Sequence, residues 1–190
     1  MKLTKNYQSV YQDMFKCYGK QNWWPAESEW EMMIGAILVQ NTNWTNVEQS
    51  IMNLNTLTHF KPQKLRNLTT DQLIPAIQRS GFYKNKSKTI EYLLAFFEEY
   101  NFDIELVDEM FDTEDLRKAL LSIKGIGFET ADDILLYAFN RPVFIADTYS
   151  RRLVSYLENQ LLDNMSLLEL QEFHALIDEY GMTYISKLKS

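Results

Sequence analysis

Turn-forming residues are scarce in this chain, with 6 glycines and 4 prolines among 190 residues, where about 7% and 5% are usual. Between them apolar residues recur at intervals of three and four, the period of a helix with one buried face. Tyr7, Val10, Tyr11, Met14, Phe15 and Tyr18 trace such a face, which ends at Gly19. Ser28 with Glu31 makes a capping-box pattern ahead of Trp30, Met33, Ile34, Ile37 and Leu38, and Thr69 with Gln72 repeats it ahead of Leu73, Ile74 and Ile77, with Gly81 as the stop. A further helix starting near Thr42 or Asn43 carries Val47, Ile51 and Leu54. Helices over Lys86–Tyr100, Thr113–Ser122, Phe128–Phe139, Thr148–Leu157 and Ser166–Tyr180 complete the set. No segment shows sustained period-two alternation with hairpin signals, so the expected class is all-α, with about nine or ten helices. No low-complexity linker or internal repeat divides the chain.

The longest apolar run, Met32–Val39, is far shorter than a membrane span, and MKLTKNYQSVYQDMF lacks the apolar core of a signal peptide. A single cysteine, Cys17, excludes an internal disulfide and a cysteine-based metal site, and two histidines, His59 and His174, make a catalytic zinc site improbable. The expected setting is the cytoplasm, with no membrane and no metal. The formal net charge of −7 argues against attraction of the whole molecule to nucleic acid. Its distribution says more. From Lys61 to Lys88 seven basic residues (Lys61, Lys64, Arg66, Arg79, Lys84, Lys86 and Lys88) face one Asp71, whereas Glu91 to Asp115 holds ten acids and no base. Such alternation fits two solvated faces, or a basic edge for phosphates with the acidic surface turned elsewhere.

The most informative segment is Leu120-Leu121-Ser122-Ile123-Lys124-Gly125-Ile126-Gly127-Phe128-Glu129-Thr130-Ala131. It joins two helical patterns through glycines two apart, flanked by Ile123 and Ile126. Glycines allow a tight turn and close approach by another molecule. The first N–H groups of the following helix lack intrahelical partners and suit an anion such as a DNA phosphate. Most such turns are only connectors. Downstream, Asp147 follows the apolar Val143-Phe144-Ile145-Ala146 and precedes Thr148-Tyr149-Ser150-Arg151-Arg152-Leu153, which is the setting of an N-cap.

The two segments together resemble the helix-hairpin-helix DNA glycosylase superfamily that includes endonuclease III. Leu121–Leu136 matches its hairpin, and Asp147-Thr148-Tyr149 falls where that superfamily keeps its catalytic aspartate. Ile37-Leu38-Val39-Gln40-Asn41-Thr42 is similar to the segment whose glutamine enters the DNA stack, and Arg79–Lys88 looks like the family's Gly-aromatic-Tyr-x-x-Lys loop. Phe173–Tyr180 resembles the last core helix. The resemblance runs from about Trp23 to Tyr184, most of the chain. It implies a two-lobed endonuclease III-like fold with a DNA cleft between lobes. One lobe is a six-helix barrel over 27–140 holding the hairpin motif (about 113–139). The other comprises 1–26 plus 141–190.

Departures from the family refine the expectation. Glu129 stands where bifunctional members carry the Schiff-base lysine, and a carboxylate cannot form an imine. Ile185 falls where the first cysteine of an iron–sulfur loop would, so no cluster is expected. Trp23-Trp24-Pro25 and Gln40-Asn41-Thr42-Asn43-Trp44 resemble the 3-methyladenine DNA glycosylase III branch, in which aromatics matching Trp24 and Trp44 line the base pocket. The resemblance therefore implies a monomeric, monofunctional base-excision glycosylase acting on double-stranded DNA with an alkylated purine, nucleoid-associated if bacterial. In it Asp147 is catalytic, Gln40 is the wedge, and Trp23, Trp24, Pro25 and Trp44 form the pocket. Lys124, Gly125, Gly127 and Thr130 take a phosphate, and related hairpins leave room for a monovalent cation. The competing readings are a glycosylase for mismatched or damaged pyrimidines or mispaired adenine, and a non-catalytic hairpin DNA-binding protein.

Overall fold

The computed structural model describes residues 7–147, 149–150 and 165–188. In chain order its helices are α1 (Tyr7–Tyr18), α2 (Glu29–Val39), α3 (Trp44–Thr58), α4 (Pro62–Arg66), α5 (Thr70–Ile77), α6 (Tyr83–Glu98), α7 (Ile104–Met110), α8 (Thr113–Ser122), α9 (Phe128–Asp133) and α10 (Leu167–Leu188). A 3₁₀ turn, Gln78–Ser80, follows α5, and a π-helical turn, Ile134–Ala138, follows α9. There is no strand among the described residues. The chain divides into two compact units, Ala26–Phe139 and a second made of Met1–Pro25 with Asn140–Ser190.

In the central unit α2 is buried along nearly its whole length, from Met32 to Leu38, and packs against α3, α6, α9 and the π turn. A helix apolar on every side is stable only when others surround it. Trp30 meets Phe97 of α6 edge-on at 5.0 Å between ring centroids. The caps follow local chemistry. Ser28 Oγ accepts the Glu31 N–H at 3.2 Å, but the Glu31 carboxylate turns to the Glu27 N–H, so only the forward half of that box forms. At α5 the box is formed, with Gln72 Oε1 accepting the Thr69 N–H at 3.0 Å. Asn43 caps α3 through the Asn46 N–H.

Three expectations are corrected. Helix α6 begins at Tyr83 rather than Lys86, because the chain reverses at Gly81 and at Phe82, which takes a left-handed φ of 46°. Most of the segment read as a loop is therefore the first turn of α6. The helix read as continuous over Phe128–Phe139 widens at Ile134, where Phe139 N–H reaches the Ile134 carbonyl at 3.2 Å. Ile134, Leu135, Leu136 and Ala138 of this wider turn are all buried. The short helices α4 and α7 were not expected.

In the second unit α1 packs on α10, with Met14, Phe173, Leu176 and Ile177 as the core and Tyr11 set edge-on to Phe173 at 5.9 Å. The expected helix over Thr148–Leu157 lies outside the described residues except for Tyr149 and Ser150, which are helical.

Candidate functional site

Within the central unit the hairpin is built from both sides. Ile123 and Ile126, each 6% exposed, anchor it inward, and the Ile126 N–H closes a turn onto the Ile123 carbonyl at 3.0 Å. Lys124, Gly125 and Gly127 are left exposed. Gly125 has φ +98°, and a Cβ there would lie 2.0 Å from Thr89 Oγ1 of α6. The glycine is thus required by backbone conformation and by close approach to α6. A Cβ at Gly127 would meet nothing within 4 Å. Any need for glycine at that position comes from outside the described chain.

The two helices of the hairpin are clamped by Arg117. Its Nε and Nη2 donate to the two carboxylate oxygens of Asp132, each at 2.7 Å, and its guanidinium lies 5.4 Å from the ring centre of exposed Phe128. A planar fork matched to a carboxylate fixes both position and orientation. Glu129 stands exposed on the first turn of α9.

Gln40 closes α2 and leans onto the hairpin. Its Nε2 donates to the Gly125 carbonyl at 3.1 Å and to Thr130 Oγ1 at 2.9 Å, while Asn41 takes a left-handed φ of 54° that turns the chain away. Thr130 itself is 4% exposed. The structure thus brings together three of the expected DNA-contacting residues, Gln40, Gly125 and Thr130. Trp44, partly buried, opens α3.

Lys86 requires a correction. Counted in the sequence as part of a basic edge, it is 3% exposed, and its ammonium donates to the carbonyls of Leu38 at 2.8 Å and Ser80 at 2.6 Å. These carbonyls close α2 and the 3₁₀ turn, where helix dipoles favour a cation. Burial lowers its pKa to about 8. Arg66 of the same run pairs with Glu98 at 3.0 Å.

The second unit holds the remaining site residues. After α1 the chain is held by Gln21, whose N–H donates to Glu172 of α10 at 2.5 Å and whose side-chain amide donates to the carbonyls of Tyr18 and Gly19, each at 3.1 Å. Two residues on, Trp23 and Trp24 lie with ring centroids 5.0 Å apart, both partly buried, followed by exposed Pro25. Asp147 is 6% exposed, and its carboxylate accepts the Ser150 N–H at 2.6 Å, the geometry of an N-cap. Ser150, fully buried, donates its hydroxyl to the Ile145 carbonyl at 2.8 Å, which pins the turn from below. On α10 a Cβ at Gly181 would lie 2.4 Å from the Tyr149 ring, so this turn rests directly on the helix backbone.

His174 of α10 stands beside Asp147. Single donor atoms of Asp147, His174 and Asp178 all lie within 4.8 Å of one another, and His174 Nε2 is 3.9 Å from Asp178 Oδ2. His174 is 7% exposed. Burial pushes its pKa down to about 4, against the opposing pull of the Asp147 charge, so the imidazole is neutral near pH 7. Sequence reasoning passed over His174, because nothing local to Phe173-His174-Ala175 announces a neighbour from another segment.

These features, the glycine hairpin between α8 and α9 and the capped aspartate beyond it, define a class. The chain belongs to the HhH-GPD superfamily of base excision DNA repair proteins, the family pattern matching residues 34–164. It is 38% identical to a Methanocaldococcus jannaschii protein named as a DNA repair glycosylase, MJ1434, over 94% of this chain and 88% of that one. The crystal structure of the H. pylori 3-methyladenine DNA glycosylase MagIII bound to 1,N6-ethenoadenine superposes with a TM-score of 0.78 at 25% identity, covering 95% of this chain and 99% of that one. A non-covalent endonuclease III–DNA complex shares the fold with a TM-score of 0.70 at 18% identity, covering 91% and 84%. No described helix is long and apolar enough to cross a membrane. The single cysteine cannot supply the four thiolates of an iron–sulfur cluster.

Proposed function

We propose that this chain is a monofunctional DNA glycosylase that extrudes an alkylated, 3-methyladenine-like purine from duplex DNA and hydrolyses its glycosidic bond, leaving an abasic site. The observation that carries the reading is Asp147, a buried carboxylate fixed by the Ser150 N–H at the start of a helical turn, where the dipole favours an anion. The likeness to the H. pylori enzyme supports the substrate class.

The target atom is inside a duplex, so the nucleotide must rotate out. Gln40 is assigned the vacated space, entered from the minor groove. Lys124 and the backbone of Gly125 and Gly127 are assigned a phosphate beside the lesion. Thr130, whose hydroxyl accepts from Gln40, supports that turn from within. Trp24, with Trp23 and Pro25 beside it in sequence, is assigned stacking on the extruded base, and Trp44 is assigned the same role. N3- or N7-alkylation makes a purine cationic, and a desolvated cation over an indole gains about 2 kcal/mol. Such a base is already a good leaving group and needs little acid catalysis. As the bond breaks the sugar gains oxocarbenium character, which the Asp147 carboxylate stabilises while it orients the attacking water and accepts its proton. Glu129, in place of an amine, cannot itself form the imine that β-elimination requires.

The test is a panel of duplexes carrying 3-methyladenine, 7-methylguanine, hypoxanthine, uracil and a G·T mismatch, assayed with and without alkali. Release of methylated purines with strand scission only after alkali is expected. Asp147→Asn should bind lesion DNA and lose most excision, and borohydride should trap no covalent adduct. Preferred release of uracil or of a neutral mispaired base would overturn the substrate class, and efficient trapping would overturn the monofunctional assignment.

A further inference from the structure

We propose that His174 is a positioning residue for Asp147, holding its carboxylate in place and taking up, in acid, the proton that would otherwise neutralise it. This rests on the catalytic assignment of Asp147 above. The geometry is a triad of side chains from two separated segments. Asp147 comes from the turn fixed by Ser150, and His174 and Asp178 come from successive turns of α10, with donor atoms within 4.8 Å.

Two other acids of this unit are engaged elsewhere. Glu172 accepts the Gln21 N–H, and Glu169 caps α10 through Ser166. From α1, Tyr11 lies on α10 against Phe173, its phenol pushed up by burial and by the charges of Glu172 and Glu169, so it stays protonated and uncharged. Tyr149 lies against Gly181. Asp147 and Asp178 are anions whose carboxylate oxygens lie beside His174 among the described residues.

A neutral imidazole next to a buried carboxylate does two things. At neutral pH it adds no positive charge, so the full negative charge of Asp147 remains to meet the developing cation of the sugar. As pH falls, the imidazole takes up a proton beside Asp147, whose charge favours that proton against the burial that opposes it. Replacing His174 removes that proton acceptor from beside Asp147.

Excision of a methylated purine under single-turnover conditions, followed from pH 4.5 to 8.5, reads this directly in wild type, His174→Gln and Asp147→Asn. The expected result is an acid limb displaced upward by about one pH unit in His174→Gln, a roughly tenfold deeper loss of rate at the low end relative to its own plateau. A lowered plateau with an unmoved limb would make His174 a structural residue only and overturn the proposal. NMR titration supplies a readout that needs neither catalysis nor a substitution at 174, since His59 is the one other histidine to assign. His174 in wild type should titrate far below an ordinary imidazole, and lower still in Asp147→Asn, where the neighbouring charge is gone. An imidazole indifferent to Asp147→Asn would also overturn the proposal. Undiminished excision by Asp147→Asn would instead sink the catalytic assignment, with the imidazole–carboxylate linkage still read separately by the titration.

Discussion

Gln40 donates one side-chain amide to the Gly125 carbonyl and the Thr130 hydroxyl, 85 and 90 residues away, and so joins the end of α2 to the hairpin. If this amide also enters DNA, it must leave both acceptors to do so, and the hairpin then rests on Ile123, Ile126 and the Arg117–Asp132 pair. Gln40→Ala should therefore loosen the free protein by about 1–2 kcal/mol, the cost of acceptors left without a donor, and should slow excision. Urea denaturation measures the first effect and single-turnover release the second. An unchanged urea midpoint would show that the amide adds nothing to the resting hairpin.

The two hairpin glycines should separate under the same substitution. Gly125→Ala places a methyl group 2.0 Å from Thr89 Oγ1 on a backbone of positive φ, and should destabilise the fold. Gly127→Ala meets nothing within 4 Å and should leave the melting temperature near wild type while weakening affinity for duplex DNA. Melting curves and binding isotherms on the pair decide whether Gly127 is kept for a ligand.

Arg117→Met leaves the Asp132 carboxylate, 2% exposed, without its counter-ion. Uncompensated buried charge is costly, and a loss of about 3 kcal/mol is expected. The double variant Arg117→Met/Asp132→Leu should recover most of it, because both partners leave together. Guanidinium denaturation of the three proteins tests this; a double variant weaker than the single would argue for a different role.

Lys86 makes stability depend on pH in alkali. Its folded pKa is lowered to about 8 from an ordinary 10.5, so between these values the unfolded chain binds a proton that the folded chain lacks. Stability relative to Lys86→Met should be flat below pH 8 and then rise with pH, by up to about 1.4 kcal/mol per unit, levelling off above 10.5. His174 acts in the opposite region. With its pKa at about 4 against an ordinary 6.5, its contribution is complete above 6.5 and lost as pH falls towards 4. Denaturation series across both windows, with His174→Gln as the second reference, should show two separate slopes. A pH-independent difference between wild type and Lys86→Met would mean that the ammonium is not held out of water.

Features set by neighbours in sequence could be read directly. Thr69 and Gln72 are three apart and need nothing else to form their box, and α8 begins and ends where Thr113 and Ser122 said it would. Phe82 shows the limit, since a left-handed aromatic residue starting α6 is imposed by the reversal at Gly81 and has no periodic signature. The five residues of α4 are too few for a period to register. Lys86 was miscounted for a deeper reason. Charge arithmetic cannot see the Leu38 and Ser80 carbonyls, the first of them 48 residues away, that draw its ammonium inside. The site divides in the same way. Asp147 was legible locally as an N-cap and the glycines as a turn, and their expected roles came from the family resemblance, whereas His174 acquires its meaning only when α10 is laid beside the Asp147 turn.

The unit shared by the two ends of the chain also orders its maturation. Among the described helices α1 is made before α2 to α9 and its partner α10 only after them, while α2 to α9 have one another at hand earlier. The hairpin can thus be complete on a nascent chain before Asp147 has His174 beside it and Tyr149 has Gly181 to rest on. The proposed grip on DNA is therefore built ahead of the proposed chemistry, because the groups that stand around Asp147 come from α10.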